Sequence, residues 1–344
     1  MKIVRHAEEN ELGAVLGHGD AALAQAGADR RADPARADDV DDVDHASSSS
    51  VWDAGHREYT RMRTVQAPTR ADVEEAAARI RPYLEPTPLI DNLKLETLNP
   101  TGSFKVRGAL NALLQSDEPV VTASAGNFGL GVAWAAQQLG REATVVVAET
   151  ASPAKIEALR RFPIELVVTG AAYDEAERHA LSLPGRYVSP YNDTDVIAGQ
   201  GTVALELPDD VETIVVPVGG GGLAAGIRLA TDARVVGVVP ANFPAMRAAL
   251  EHGRVVEIEG DWTIADALHG NIEPGSVTVE MLRGIEIVEV TEEQIEEAMR
   301  RLARDHGLVA EGAGAAAVAA GVDGVCIVTG RNVTRETLGR VLHG

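Results

Sequence analysis

At 344 residues, 45% of them hydrophobic and 24% charged, the chain is long enough to bury one large or two smaller cores, and it reads as a soluble globular protein with no apolar run near the ~20 residues that crossing a bilayer takes. A formal net charge of -21 argues against nucleic acid and anionic membrane as partners. The single cysteine, Cys326, excludes an intramolecular disulfide, and the charged start Met1 to Glu9 has no apolar h-region, so the cytoplasm is the expected compartment.

Residues 1–60 read differently from the rest. Asp29 to Ser50 carries seven aspartates and a four-serine run with almost no large apolar residue, too little to offset its ordering entropy, and predicts a disordered acidic tail. Folding is expected to begin near Thr69, where Thr69-x-x-Asp72 resembles a capping box and Val73, Ala76, Ala77 and Ile80 share a helical face. Strand candidates follow at Val120-Thr122, Ala143-Ala148, Ile164-Val168, Thr213-Val218, Arg234-Val239, Ile285-Val290 and Val325-Val328. Helix candidates alternate with them: Phe104-Leu114, Leu130-Leu139, Pro153-Arg161, Ala172-Leu181, Leu223-Ala230, Glu292-Asp305 and Val333-Leu342. Most of the strands are continuously apolar, as parallel strands covered on both faces are, so the fold class is α/β. Cys326 lies in the last of these strands and reads as a buried residue rather than a nucleophile.

Three motifs punctuate the alternation. Lys105 sits in Asn99-Pro-Thr-Gly-Ser-Phe-Lys-Val-Arg-Gly-Ala109, and of the four lysines (Lys2, Lys94, Lys105, Lys155) it alone lies in a Gly/Ser/Thr-rich turn running into a helix. A helix N-terminus and burial disfavour an ammonium, and the neutral amine can form an imine with an aldehyde. Taken alone, Lys105 also reads as a surface lysine on a first helical turn. The second motif, Thr122-Ala-Ser-Ala-Gly-Asn-Phe-Gly-Leu-Gly131, puts small residues ahead of a helix, which suits a carboxylate but serves equally as a helix cap. The third, Gly219-Gly-Gly-Gly-Leu-Ala-Ala-Gly226, joins the strand from Thr213 to a helix and offers several backbone N–H groups to a phosphate, with no Cβ in the way. Gly220-x-Gly222-x-x-Ala225 also matches a dinucleotide fingerprint, but the next strand ends Gly237-Val-Val-Pro-Ala241 without the acid that would hold a ribose.

An imine-forming lysine, a phosphate cup and a carboxylate cup fit one ligand set, pyridoxal 5'-phosphate (PLP) with an amino acid. On these motifs the chain resembles the fold type II, tryptophan-synthase-β-like family of PLP-dependent enzymes, in its threonine/serine dehydratase and serine racemase branch. The likeness spans about Arg79 to Asn332 and takes in Thr87-Pro-Leu89, Leu93-Lys-Leu-Glu96, Val196-Ile-Ala-Gly-Gln-Gly-Thr202, Thr263-Ile-Ala-Asp266 and Glu311-Gly-Ala-Gly-Ala315. It implies two domains, each an open, mainly parallel sheet flanked by helices, with the cofactor in the cleft between them. Residues 61–110 and 191–344 would form the larger, cofactor-binding domain and residues 111–190 the smaller domain that closes on substrate; relatives of this kind are commonly homodimers. By the same resemblance Lys105 carries the imine and moves the substrate Cα proton, Phe104 packs beside the pyridine ring, and Gly219, Gly220, Gly221, Gly222 and Leu223 hold the phosphate. Asn127 would bond the ring hydroxyl, Thr329 would meet the pyridine nitrogen, and Ser124, Ala125, Gly126 and Asn127 would cradle the substrate carboxylate. The implied reaction is dehydration and deamination of L-threonine or L-serine to a 2-oxo acid and ammonia. β-Replacement, racemisation, hydroxyaspartate dehydration and a non-catalytic PLP-binding homologue are the alternatives.

Several positions depart from the family pattern. Ala125 replaces the serine that racemases use as an acid/base, Phe128 a common histidine, and Arg331 a common glycine, where it either faces solvent or meets a second substrate carboxylate. Val239 stands where metal-dependent relatives carry a glutamate, so no metal is expected. The link from Leu89 to Leu93 is shorter than usual and is expected to loosen one wall of the site.

Overall fold

The computed structural model describes residues 64–344; the predicted acidic tail lies outside the described residues. Helix α1 (Arg70–Ile80) starts where the capping box predicts: the Thr69 hydroxyl accepts from the Asp72 N–H, and the Asp72 carboxylate accepts from the Thr69 N–H at 2.7 Å. Val73, Ala76 and Ile80 are its buried face.

The chain then runs through β1 (Leu89–Ile90), β2 (Leu93–Leu95), α2 (Lys105–Leu114), β3 (Val120–Ala123), α3 (Asn127–Leu139), β4 (Ala143–Val147), α4 (Pro153–Arg160) and β5 (Glu165–Val168). It continues with α5 (Tyr173–Ser182), β6 (Arg186–Tyr187), α6 (Thr194–Gly201), β7 (Thr213–Pro217), α7 (Gly222–Ala230), β8 (Arg234–Pro240) and α8 (Ala245–His252). The last elements are α9 (Val277–Met281), β9 (Glu286–Val290), α10 (Glu292–His306), α11 (Gly312–Ala319), β10 (Val325–Val328) and α12 (Arg335–His343). Two sheets form: one of six strands in the order β1-β2-β10-β7-β8-β9 and one of four in the order β5-β4-β3-β6. Every pairing is parallel except β1 with β2. This is the α/β class that the alternating pattern predicts, in the two helix-flanked, mainly parallel sheets that the resemblance implies.

Central strands are buried along their length, as in β3 and β10, whereas the edge strands β5 and β9 are partly exposed. Glu286 and Glu289 on β9 pair with Arg234 and Arg247, so this edge carries charge rather than an open apolar ladder.

The short Leu89–Leu93 link is a tight hairpin. Asp91 and Asn92 both take positive φ, 49° and 63°, the backbone that a tight two-residue turn demands and that Asp and Asn tolerate best among non-glycine residues. Leu89 pairs with Lys94 and Ile90 with Leu93, and β2 continues into parallel pairing with β10.

Candidate active site

Lys105 opens α2, and that helix is held on two sides. A Cβ on Gly108 would lie 2.7 Å from the Val196 carbonyl, and one on Gly199 2.7 Å from the Arg107 carbonyl, so α2 and α6 touch backbone to backbone. The loop leading to Lys105 is stitched to the end of β10: the Phe104 N–H donates to the Thr329 carbonyl at 3.0 Å, and the Arg331 N–H to the Gly102 carbonyl at 2.9 Å. Behind Lys105, the buried Arg107 guanidinium donates to Glu96 at 2.7 and 2.9 Å and to Glu206. Lys94, fully buried, joins the same network through Glu206 and the Thr87 carbonyl. Burial alone would raise the Glu96 carboxyl; Arg107, with help from the Thr87 hydroxyl and the Lys94 charge, outweighs it and holds Glu96 below the usual carboxylate range.

The Lys105 amine is half-buried and donates to the Pro190 carbonyl at 2.8 Å. Burial lowers its pKa to about 8, with Glu311 acting in the opposite sense. The neutral amine needed for imine chemistry is therefore about a tenth of the population at pH 7, far more than for an ordinary lysine. The Phe104 and Phe128 ring centres lie 5.1 and 5.9 Å from the amine.

Phe104, Lys105, Asn127, Gly219, Gly220, Gly221, Gly222, Leu223 and Thr329, far apart in sequence, line one cavity. Ser124, Ala125 and Gly126 do not line it. They form the half-buried turn just ahead of α3, where the Gly126 N–H donates to the Ser124 hydroxyl at 3.2 Å and the space beside Gly126 is open. Phe128 is in the hydrophobic core rather than on the cavity wall. Arg331 takes the exposed alternative and borders a separate, open cleft with Arg161 and Phe162.

Tyr191 and Glu311 also line the cavity, two positions to which the sequence motifs assign no role in the site. Nothing local marks Tyr191. Glu311 does carry a signal, since one carboxylate in the small, apolar run Val309-Ala-Glu-Gly-Ala-Gly-Ala315 has to be buried with a partner. It is 5% exposed and accepts from the Asn127 side-chain amide at 2.7 Å; burial, then Asp266, push it up to about 7.

The glycine loop is built for close approach. A Cβ on Gly220 would lie 2.4 Å from the Tyr191 ring, and Gly221, with φ of 87°, caps α7 in the left-handed region. The loop therefore presents bare backbone at a helix N-terminus, which suits an anion such as a phosphate ester. Gly220→Ala is expected to displace Tyr191 and weaken cofactor binding by about 1–3 kcal/mol, roughly 5–150-fold. An absorbance titration of the cofactor-free protein with PLP measures this.

A deprotonatable amine and an anion cup on one cavity, in a fold of two mainly parallel sheets, define a PLP-binding enzyme of fold type II. Residues 81–326 match the family model "Pyridoxal-phosphate dependent enzyme". The L-threonine ammonia-lyase of Thermotoga maritima is 39% identical over 278 residues, covering 73% of this chain and 69% of that protein. The catabolic L-threonine dehydratase of Staphylococcus aureus is 36% identical over 328 residues, 82% of this chain and 94% of that one. Among solved structures, the T.th. threonine deaminase superposes with a TM-score of 0.71 at 33% identity, covering 78% of this chain and 99% of that chain. Maize serine racemase does so with a TM-score of 0.73 at 26% identity, covering 81% and 98%. The chain belongs to the pyridoxal-phosphate-dependent enzyme family, in the threonine/serine dehydratase and serine racemase branch, and its cofactor is pyridoxal 5'-phosphate.

Proposed function

We propose that this protein is an ammonia-lyase that eliminates water from a β-hydroxy amino acid, L-threonine or L-serine, and releases a 2-oxo acid and ammonia. The observation that carries the proposal is the shared cavity of Lys105 and Gly219–Gly222. The cofactor, when bound, supplies an aldehyde for imine formation and a ring that withdraws electrons from the substrate Cα. The chain supplies the rest. Backbone N–H groups of Gly219, Gly220, Gly221, Gly222 and Leu223 would hold the phosphate, Asn127 would bond the ring hydroxyl, and Phe104 would pack beside the ring. Lys105 would accept the substrate Cα proton as general base, and its ammonium form can return that proton to the β-hydroxyl, which leaves as water; addition of water to the resulting enamine gives the 2-oxo acid and ammonia. The turn Ser124-Ala-Gly-Asn127 takes the substrate carboxylate in the open space beside Gly126. Ala125 has no proton to give, which favours elimination over racemisation.

The test is a screen of the PLP-loaded protein with L-threonine, L-serine and hydroxyaspartate for ammonia and 2-oxo acid. The expected products are 2-oxobutanoate from threonine and pyruvate from serine. Ammonia from hydroxyaspartate alone, or from none of the three, overturns the proposal.

A further inference from the structure

We infer that Glu311 is a positioning residue of this site, pinning the Asn127 amide through a hydrogen bond and setting the charge of the cavity wall that it shares with the Lys105 amine. The inference rests on the proposed function only in taking Lys105 as the amine that meets the cofactor.

Geometry carries the first half. Glu311 immediately precedes α11, and its N–H donates to the Gly330 carbonyl at 3.0 Å. A Cβ on Gly330 would sit 2.3 Å from Glu311 Oε1, so the carboxylate lies against bare backbone. Asn127 Nδ2 donates to this oxygen at 2.7 Å, while Asn127 Oδ1 accepts from Asn332 Nδ2 at 2.6 Å. Asn332 is itself tied to the Thr101 carbonyl at 2.8 Å. With one end of the amide on a carboxylate and the other on a donor, its orientation is determined, and one Nδ2 hydrogen stays uncommitted for a ligand.

The second half starts from placement: Glu311 and Lys105, from different elements, line the same cavity, so a charge on one is felt by the other. Three charged groups from three elements act on this corner: Lys105 on α2, Lys155 on α4, and Asp266 in the turn Asp266–Leu268. Lys155 and Asp266 bond each other at 2.8 Å. Asp266 favours the neutral form of Glu311, Lys155 the ionised form, and an ionised Glu311 favours the ammonium form of Lys105. Two substitutions should therefore move Lys105 in opposite directions. Glu311→Gln removes the anion and lowers the Lys105 pKa. Asp266→Asn lets Glu311 ionise at lower pH and raises it.

The readout is the pH dependence of Lys105 acylation by acetic anhydride in the cofactor-free protein, followed by mass spectrometry against an added lysine peptide. At pH 7, Lys105 is expected to react about threefold faster or more in Glu311→Gln and about twofold slower or more in Asp266→Asn, since one pKa unit is tenfold. An unchanged midpoint in Asp266→Asn overturns the electrostatic half even if Glu311→Gln does not fold, because Asp266 is a half-exposed surface residue. The pinning half is read from the visible circular dichroism of bound cofactor. Glu311→Gln keeps an acceptor for Asn127 and should keep the band, whereas Glu311→Ala should lose at least half of it; equal bands overturn the pinning. Neither measurement uses substrate, so a protein inert toward every hydroxy amino acid sinks the lyase proposal and leaves this one standing.

Discussion

Lys105→Ala is expected to give a folded protein that stays colourless when PLP is added and releases ammonia from threonine or serine about a thousandfold more slowly, or worse. The size of the effect follows from two losses at one atom, the covalent anchor and the general base. No other described lysine can substitute. Lys94 is fully buried and committed to Glu206 and the Thr87 carbonyl, and Lys155 is bound to Asp266 outside the cavity. The fold should survive, because the Lys105 amine contributes a single hydrogen bond, to the Pro190 carbonyl, and the variant removes a half-buried cation. Borohydride reduction followed by peptide mapping checks the chemistry. A yellow variant with reduced cofactor attached to another lysine would place the imine elsewhere and end the assignment of Lys105.

Arg107→Met carries the largest expected stability effect. The guanidinium is 1% exposed and bridges Glu96 and Glu206. When it is removed, Lys94 still answers Glu206, but Glu96 is left fully buried with only the neutral donors Thr87 and Asn99. Stranding one partner of a buried ion pair costs about 3–5 kcal/mol. The lost stability should appear in urea unfolding of the cofactor-free protein, and a loss under about 1 kcal/mol would show that the pair is not holding α2.

The sign of the pH response gives a second check. In the parent, the folded-state pKa of Glu96 lies below its unfolded value, so its contribution is present at neutral pH and fades as pH falls through the folded value. In Arg107→Met, burial is opposed only by the Thr87 hydroxyl and the Lys94 charge, and the folded value is expected to move above the unfolded one. The variant should then lose stability as pH rises from the unfolded to the folded value, so its deficit relative to the parent narrows on acidification. Replacing Glu96 with Gln as well should recover part of the deficit. A consequence for the site follows too, since Arg107 lies two residues beyond Lys105 and secures the helix that aims it.

Much of this protein is written locally. The capping box at Thr69 and Asp72, the apolar runs of the buried strands, Lys105 in its turn, and the glycine run that opens α7 each depend on a few consecutive residues, and each stands where the linear pattern puts it. The elements that escape sequence reading lack that local signature. β1, β2 and β6 are only two or three residues long and are held by their neighbours. Helix α6 contains Gly199 and Gly201, which weaken it as an isolated helix and exist because α2 and α7 press against its backbone. Helix α11 is small and apolar all round, so it shows no periodic face.

Residue order thus established the α/β class, the amine, the anion cup and the kind of ligand that would join them. Only three-dimensional packing decided that Tyr191 and Glu311 share the wall with Lys105, that Asn127 rather than Ser124–Gly126 is on that wall, and that Arg107 and Lys94 are spent on an internal charge network. The reason is physical: backbone preferences and hydrophobic runs are properties of neighbouring residues. Desolvation, and the distance between charges contributed by different elements, exist only once the chain has folded and brought them together.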